Sequence, residues 1–296
     1  MSNLKLGIIG LSEGNGHPYS WSAICNGYDV QAMDKCEFPT IPRYLSERRW
    51  PDDQIEGVKV THIWTEDRSV SERVAAASLI PNIVDSSIDM IGAVDGILLA
   101  RDDAEQHFRF AAPFLRAGLP VYIDKPFALS LQEASRLMAT RTFQGQIYSC
   151  SALRYAKELS LTASELAAIG MVRHIIATVP KDWDRYAIHA LEPALMLIPD
   201  RGRAVAFRKS SIGRASSLAV EYASGACLTI HALGAVAAPI SLKVIGHAGW
   251  RELVFQDSFS AFKSALETFK TSIEMRQSPI SDDFLLEVAE LLEAGR

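Results

Sequence analysis

The residues best suited to chemistry in this sequence are Asp124 and Lys125, which end a short apolar run and precede a proline. Val121-Tyr122-Ile123 reads as a buried strand, and Ser130-Leu131-Gln132-Glu133 is a capping box that starts a helix. Lys125 therefore lies between a strand end and a helix start, the edge at which open α/β sheets bind ligands. A surface turn explains the same residues equally well, so other parts of the chain must decide.

A second candidate for chemistry is His189, in the stretch 180–193. If this stretch is helical from about Arg185, then Arg185 at i, i+4 and Tyr186 at i, i+3 both neighbour the imidazole. An imidazole titrates near neutral pH and can take or give a proton. A lone histidine on a helix is more often a packed or surface residue, and His17, His174, His231 and His247 have no further support.

Length and composition restrict the class of protein that these residues serve. The 296 residues predict two domains of roughly 150 residues each. A net charge of -5 argues against nucleic acid or an anionic membrane surface as a partner, which favours a small-molecule substrate. The four cysteines show no C-x-x-C spacing, so we predict no metal site. With no bilayer-spanning apolar run and no signal-peptide pattern at Met1-Ser2-Asn3, we expect a cytoplasmic protein.

The glycine-rich stretch after the first predicted strand is typical of a phosphate-binding loop. Residues 4–9 read as a buried strand that opens into a loop containing Gly10, Ser12, Glu13, Gly14 and Gly16. Glycines in such a loop let the backbone approach a pyrophosphate at a helix N-terminus. The G-x-G-x-x-G pattern is absent, because Ser12 stands where a second glycine would, and a plain glycine turn remains an alternative.

Three further segments of the N-terminal half bear on a nucleotide site. Residues 26–57 are polar, loop-like and interrupted by three prolines, which rules out a long helix and predicts an insertion, either a lid near the cofactor or a solvated surface excursion. Residues 58–64 read as a strand that ends in Thr65-Glu66-Asp67-Arg68. An acid there binds the ribose hydroxyls of NAD, whereas an arginine accepts the 2′-phosphate of NADP, so both cofactors stay open. Residues 94–100 read as a buried strand ending at Ala100, with Arg101 next.

Strands and helices alternate through this half with short links, which predicts a doubly wound parallel sheet. The segment His107-x10-Gly118-Leu119-Pro120-Val121-Tyr122-Ile123-Asp124-Lys125-Pro126 resembles the H…aGk.V..EKP segment of the Gfo/Idh/MocA oxidoreductases, the glucose-fructose oxidoreductase and inositol dehydrogenase family. Asp124 replaces the more usual glutamate. The resemblance extends over nearly the whole chain.

The resemblance implies an α/β protein of two domains. Residues 1–150 would form a Rossmann dinucleotide-binding domain with the insertion at about 26–57, and residues 151–296 an α+β domain for substrate binding and oligomerisation. Residues 172–179, 204–209, 218–222, 226–233 and 240–245 read as strands of an open, largely antiparallel sheet. Helices are predicted at 156–168, 259–277 and 282–294.

The resemblance also implies roles for particular residues. The family pattern Asp-x-x-x-His makes His189 the acid/base candidate, but Arg185 occupies the place of the aspartate, with Asp184 and Tyr186 as the nearest replacements. Lys125 would orient the substrate hydroxyl and stabilise alkoxide charge. Arg154, Trp183 and Tyr186 suit a hydroxylated or anionic substrate. The expected cofactor contacts are Gly10, Ser12, Glu13, Gly14, Thr65, Glu66, Asp67, Arg68, Ala100, Arg101, Asp124 and Lys125.

The implied activity is an NAD(P)-dependent hydride transfer at a secondary alcohol of a sugar, nucleotide sugar or cyclitol, by a homodimer or homotetramer. Two alternatives stay open, and the altered glycine loop and the missing aspartate motivate the first of them. One is a non-redox sensor or regulator that binds a dinucleotide or a sugar on the same scaffold. The other is a lyase or glycosidase in which NAD takes and returns a hydride. Fold analogy cannot choose among the three.

Overall fold

The computed structural model describes residues 3–296, which form two compact units. The first unit contains Met1–Ala128, Gln132–Ser149 and Phe262–Leu285, and the second contains Leu129–Leu131, Cys150–Ala261 and Leu286–Arg296. Met1 and Ser2, where the predicted first domain begins, lie outside the described residues. The division into domains at residue 150 stays a prediction. By their contacts, residues 262–285 belong to the first unit although they lie after residue 150.

The first unit is built on a parallel sheet of six strands. These are β1 (Leu4–Gly10), β2 (Val58–Thr65), β3 (Asn82–Ile83), β4 (Gly96–Leu99), β5 (Val121–Ile123) and β6 (Ile147–Tyr148). Their order is β3-β2-β1-β4-β5-β6, and every neighbouring pair is parallel. This is the doubly wound order predicted from the sequence, and the strand order reverses between β1 and β4, where such sheets bind ligands.

Helices link these strands, and the central strands are buried on both faces. The helices are α1 (His17–Asn26), α2 (Val30–Met33), α3 (Thr40–Ser46), α4 (Arg68–Ala77), α5 (His107–Arg116) and α6 (Leu131–Met138). Ile8, Ile97 and Leu98 are fully buried, as expected for parallel strands covered on both sides. Because their residues form continuous apolar runs, these strands could be predicted from the sequence.

The segment 26–57 differs from its loop-like interpretation. It holds two short helices, α2 and α3, and the side chain of Asp29 caps α2 by accepting the amide of Ala32. Met33 and Leu45 are fully buried, so the segment is packed and is not a solvated excursion. Its prolines do exclude a long helix, as predicted.

The second unit contains a mixed sheet, also of six strands. These are β7 (Val172–Val179), β8 (Ala204–Ile212), β9 (Ala215–Tyr222), β10 (Cys227–Ala232), β11 (Ser241–Gly246) and β12 (Trp250–Val254). The order is β12-β11-β7-β10-β9-β8; β7 and β10 pair in parallel and the other neighbours are antiparallel. The prediction of an open, largely antiparallel sheet is confirmed, while β12 was missed.

The remaining helices are α7 (Ala163–Ile169), α8 (Trp183–Tyr186), α9 (Ile188–Met196), α10 (Ser258–Met275) and α11 (Asp282–Gly295). The predicted helix at 156–168 starts later than expected. Thr162 and Glu165 form a capping box that fixes the start of α7, and two 3₁₀ turns precede it. Within residues 3–296, no helix combines the length and the apolar character needed to cross a lipid bilayer.

Candidate functional site

Lys125 lies two residues after the end of β5, at the carboxyl edge of the parallel sheet. Its ammonium nitrogen lies 3.3 Å from Asp102 Oδ2, and the two side chains are only 6% and 9% exposed. Asp102 itself follows the end of β4. Because a buried ammonium group is unfavourable without a countercharge, the carboxylate of Asp102 is the partner that makes the burial of Lys125 possible.

The glycine loop joins the same network through Ser12. The Ser12 hydroxyl donates to Asp102 Oδ1 at 2.7 Å and accepts the backbone amide of Asp102 at 3.0 Å. A hydroxyl can do both at once. The loop after β1, the residues after β4 and those after β5 are therefore connected by buried polar contacts.

Asp124 connects the far end of the glycine loop to Lys125. Its Oδ1 accepts the backbone amide of Lys125 at 2.7 Å, and its Oδ2 accepts Asn15 Nδ2 at 2.7 Å and contacts His17 Nδ1 at 2.6 Å. The carboxylate is almost completely buried. Polar side chains of the loop thus fix its conformation here, where the usual pattern relies on glycines.

Gly10 and Gly14 each require glycine, for different structural reasons. A Cβ on Gly10 would lie 2.4 Å from Pro18 Cγ, so α1 can approach β1 only if residue 10 has no side chain. Gly14 has a φ of +78°, which favours glycine, and no heavy atom lies within 4 Å of a Cβ built there. The tip formed by Glu13 and Gly14 is exposed and leaves room for a ligand.

The start of α1 differs from the usual phosphate-binding helix. The backbone amide of His17 donates to Asn15 Oδ1 at 2.8 Å, and Pro18 has no amide hydrogen to donate. Fewer amides of the first turn are therefore directed at a bound phosphate than in a typical helix N-terminus.

The residues after β2 divide into structural and ligand-accessible groups. Thr65 is buried, and its hydroxyl is hydrogen-bonded to that of Ser71 at 2.7 Å. Asp67 caps α4 by accepting the amide of Ser69, and the hydrogen bonds from Ser69 lower the pKa of Asp67. Glu66 is half exposed and accepts Arg101 Nη1 at 2.9 Å. Arg68 is also exposed, and it pairs with Glu72 and Asp85. Glu66 and Arg68 are thus the candidates that a ribose or its phosphate could reach.

The residues after β4 are fixed by backbone contacts. Ala100 is fully buried, and its amide donates to the carbonyl of Ile9 at 2.8 Å. His107, the first residue of α5, is buried with Nε2 2.7 Å from the carbonyl oxygen of Arg101 and Nδ1 3.2 Å from that of Phe127. The histidine of the family-like segment therefore links the chain after β4 to the chain after β5.

In the second unit, His189 lies at the start of α9. Its Nδ1 is 2.8 Å from the hydroxyl of Ser151, and its ring meets the ring of Tyr186 edge-on, with centroids 5.3 Å apart. The Tyr186 hydroxyl contacts the ammonium group of Lys181, which also lies 4.4 Å from the centre of that ring. The i, i+3 neighbour predicted from the sequence is thus in contact with the imidazole.

A buried ion pair lies one turn further along α9. Glu192 Oε1 accepts the backbone amide of Ser151 at 2.8 Å, and Glu192 Oε2 accepts Arg154 Nη1 at 3.2 Å. Burial raises the pKa of Glu192 to about 7, although the Arg154 guanidinium and the hydrogen bonds act in the opposite direction. Arg154 is therefore committed to a carboxylate of its own unit, which argues against its predicted contact with substrate.

Two other predicted site residues have contacts that point to packing or to the surface. Trp183 is only 4% exposed and donates its ring N–H to the carbonyl of Leu292 at 2.9 Å, so it is a core residue and its proposed contact with substrate is not supported. Asp184 forms an exposed ion pair with Arg296 at 3.2 Å. The amide of Arg185 donates to Asp182, which caps α8.

Sequence reasoning missed several residues of these networks. Asp102 had a readable signal, because it follows a buried strand just as Lys125 does. Asn15 and His17 are close to the glycine loop, but nothing in the sequence pairs them with Asp124, 107 residues or more away. Ser151 and Glu192 carry no pattern of their own. Lys125 belongs to the first unit and His189 to the second, and their joint action stays a prediction.

Residues 40–151 match the sequence model of an oxidoreductase family with an NAD-binding Rossmann fold, the Gfo/Idh/MocA family. No curated protein matches the chain significantly. Among solved structures, the chain is similar to myo-inositol 2-dehydrogenase from Lactobacillus plantarum, with a TM-score of 0.73 and 15% identity over 99% of this chain and 96% of that one.

Two further structures show the same similarity. Scyllo-inositol dehydrogenase from Lactobacillus casei, solved with NAD(H) and scyllo-inositol, has a TM-score of 0.72 and 12% identity over 99% of this chain and 96% of that one. UDP-N-acetylglucosamine 3-dehydrogenase from Acidithiobacillus ferrooxidans has a TM-score of 0.70 and 15% identity over 98% of this chain and 95% of that one. At these identities the similarity is one of fold. Residues 40–151 thus match the model of the Gfo/Idh/MocA family, and the whole chain is similar in fold to these dehydrogenase structures.

Proposed function

We propose that the protein is an NAD(P)-dependent dehydrogenase that oxidises or reduces a secondary alcohol of a sugar, nucleotide sugar or cyclitol. The observation that carries this proposal is the buried, charged Lys125, which Asp102 and Asp124 connect to the glycine loop at the ligand-binding edge of the parallel sheet. Solved structures of similar fold include enzymes named for inositols and for a UDP-sugar, which supports this substrate class.

The residues around the loop fit a dinucleotide. Glu13 and Gly14 form an exposed tip with open space at the Gly14 Cβ position, and Glu66 offers a carboxylate to ribose hydroxyls. Arg68 lies beside it and suits a 2′-phosphate, so NAD and NADP are both accommodated by the proposal. When bound, the cofactor supplies a nicotinamide that accepts or donates the hydride.

The protein's own groups would handle the proton and the charge. Oxidation of an alcohol requires a base within about 3 Å of the hydroxyl, and we assign this role to His189. Lys125 holds the substrate oxygen and stabilises the negative charge that develops on it. Tyr186 lies against the imidazole and is the second candidate for a proton-transfer or substrate contact, whereas Asp184 is engaged with Arg296.

The test is turnover of NAD⁺ and NADP⁺ with a panel of inositols, sugars and nucleotide sugars, followed by nicotinamide absorbance. We expect activity with at least one compound, and a loss of roughly 10²–10³-fold in kcat for Lys125→Met, the range seen when a group that stabilises transition-state charge is removed. Lys35→Met, at an exposed lysine, is the matched control and should keep full activity. Absence of any dinucleotide binding by calorimetry would refute the proposal.

A specific observation favours a second candidate, the non-redox sensor. The first amide of α1 is occupied by Asn15 and the second residue is Pro18, so phosphate binding there has fewer donors. A sensor would bind a dinucleotide or sugar without turnover. An enzyme that returns its hydride would instead exchange isotope at the substrate carbon with no net NADH. Absorbance separates the dehydrogenase from the other two candidates, and isotope exchange separates the hydride-returning enzyme from the sensor.

We also propose a homodimer or homotetramer formed through the sheet of the second unit. Large apolar side chains on its strands are exposed, including Phe207 and Ile212 on β8 and Trp250 on β12. These side chains lie on the two edge strands of the sheet, and exposed aromatic and aliphatic residues of this size are enriched at protein interfaces. Sedimentation should show an oligomer that Phe207→Glu weakens, and a monomeric wild-type protein would refute the assignment.

A further inference from the structure

We propose that Ser151 positions His189, replacing the aspartate that the family pattern would place at residue 185. This inference rests on the proposed role of His189 in proton transfer. It assigns a function to a residue that no sequence pattern singled out, and it explains how the imidazole is held although Arg185 occupies the usual position of its partner.

The hydrogen bond to Ser151 is short and protected from water. The Ser151 Oγ atom is 2.8 Å from His189 Nδ1, and Ser151 is completely buried. Water therefore does not compete for the serine side of the contact. A hydrogen bond at one ring nitrogen fixes the ring plane and therefore the direction of the other nitrogen, Nε2.

Ser151 is itself held in place by the helix that carries His189. Glu192, three residues after His189 on α9, accepts the backbone amide of Ser151 at 2.8 Å. The 3₁₀ turn that follows (Ala152–Tyr155) brings Arg154 to the other oxygen of the same carboxylate. Glu192 thus holds the serine segment at two points, the amide of Ser151 and the side chain of Arg154, so the backbone that carries the hydroxyl is fixed relative to α9.

A hydroxyl differs chemically from a carboxylate in this position. When His189 takes a proton at Nε2, Nδ1 carries its own hydrogen both before and after the transfer and can donate it to Ser151 Oγ in both states. The Ser151 oxygen, which also accepts the amide of Leu153 at 3.3 Å, has a second lone pair for this. Unlike a carboxylate, the neutral hydroxyl holds the ring without adding a negative charge that favours the imidazolium form.

The charged and titratable groups around this pair include members of three segments. Glu192 lies on α9, Arg154 on the 3₁₀ turn, and Tyr186 with its partner Lys181 on α8 and the residues before it. Glu192 and Arg154 are hydrogen-bonded to each other. The Ser151 hydroxyl is a neutral group, and it contacts Nδ1 directly.

The kinetic test compares Ser151→Ala with Ser151→Thr, which keeps the hydroxyl. We expect Ser151→Ala to lower kcat about tenfold, corresponding to one hydrogen bond lost from the transition state, with little change in KM. Ser151→Thr should restore most of the rate. Ser217→Ala is the matched control, because Ser217 Oγ is 2.7 Å from His231 Nδ1 in an equivalent pair on the sheet. Unchanged kcat and pH profile in Ser151→Ala would overturn the proposal.

A second readout does not require turnover. In ¹⁵N-labelled protein, Ser151→Ala should shift the Nδ1 resonance of His189 and leave that of His231 unchanged, and Ser217→Ala should do the reverse. If wild-type protein shows no redox activity but this crossed pattern appears, the proposed function fails while the Ser151 contact stands. A His189 resonance that is identical in wild type and Ser151→Ala refutes the contact.

Discussion

Lys125 and His189 are anchored by different chemistry. The ammonium group of Lys125 is paired with the buried carboxylate of Asp102, and a second buried carboxylate, Asp124, holds its backbone amide. The imidazole of His189 is held by the neutral hydroxyl of Ser151. A carboxylate favours the charged form of its partner, whereas a hydroxyl hydrogen-bonds either protonation state.

The difference agrees with the two proposed roles. A group that stabilises an alkoxide must supply a positive charge, and Asp102 is the buried countercharge beside the Lys125 ammonium group. A group that exchanges a proton must be able to exist in both states, and Ser151 permits this. Removing a charge of the Lys125–Asp102 pair should therefore lower the free energy of unfolding strongly, whereas removing the Ser151 hydroxyl should chiefly lower kcat.

The largest expected effect is on stability in the first unit. Asp102→Asn preserves the shape and the contact with Ser12 but leaves the ammonium of Lys125 buried without a countercharge. We expect the free energy of unfolding in urea to fall by about 3–5 kcal/mol. Glu274→Gln, in the exposed Lys270–Glu274 pair at 3.0 Å, is the control and should change it by less than about 1 kcal/mol.

Combining Asp102→Asn with Lys125→Met sharpens this prediction. Removal of both charges should recover a large part of the lost stability, because no isolated buried charge remains. Strictly additive losses in the double variant would show that the two side chains do not interact as an ion pair.

The next effect is a pH dependence that originates in the second unit. Burial raises the pKa of Glu192 from an ordinary value near 4.5 to about 7, so the folded state retains this proton more strongly than the unfolded state does. The associated stabilisation is fully present below about pH 4.5 and is lost as pH rises to about 7, by roughly 3 kcal/mol.

Glu192→Gln removes this titration. Urea unfolding at several pH values between 4.5 and 7.5 should therefore show a steeper decline of stability with rising pH for wild type than for the variant. The comparison concerns slopes, because the amide also alters the contact with Arg154. Equal slopes would mean that Glu192 stays ionised beside Arg154 over the whole range.

A smaller effect is expected at the predicted ribose contact. Glu66→Gln removes the carboxylate that lies at the end of β2 and should weaken NAD⁺ binding about tenfold, the order expected for loss of one charged hydrogen bond. Binding of NADP⁺ should change less, because Arg68 remains. Calorimetry with both cofactors measures this, and equal weakening of the two would argue against a ribose-specific role for Glu66.

The smallest effect is expected at Asp184. This carboxylate forms an ion pair with Arg296 in which both side chains are about 40% exposed, so Asp184→Asn should change stability by less than about 1 kcal/mol. We also expect kcat to stay within about twofold of wild type, since Ser151 holds the imidazole. A loss of kcat comparable to that of Ser151→Ala would show that Asp184 does contribute to catalysis.

The strands of the fold were readable from the sequence because burial leaves a continuous apolar run. Residues 94–100 and Val121-Tyr122-Ile123 show this for β4 and β5. β12 was missed because Trp250, Arg251 and Glu252 are exposed, so apolar and polar residues do not alternate there. The late start of α7 depends on the capping box at Thr162, which was present in the sequence but not used.

Residues of the candidate site could be predicted only where they come directly after a strand or lie at a helical spacing from another candidate. Lys125 and Tyr186 were found in this way. Asp102 also follows a strand, but its pairing with Lys125 is a tertiary contact, as is that of Ser151 with His189, and such pairings leave no local pattern. Trp183 was assigned to substrate because its side chain suits a hydroxylated ligand, but its burial and its hydrogen bond to Leu292 are those of a core residue.

The most direct test of the account is a crystal structure with NAD⁺ and an inositol or sugar that the turnover panel identifies. The account predicts that Lys125 Nζ and His189 Nε2 both lie within about 3.2 Å of one substrate hydroxyl oxygen, with its carbon facing the nicotinamide. A substrate hydroxyl bound beyond reach of either group, with turnover demonstrated in the same preparation, would contradict it.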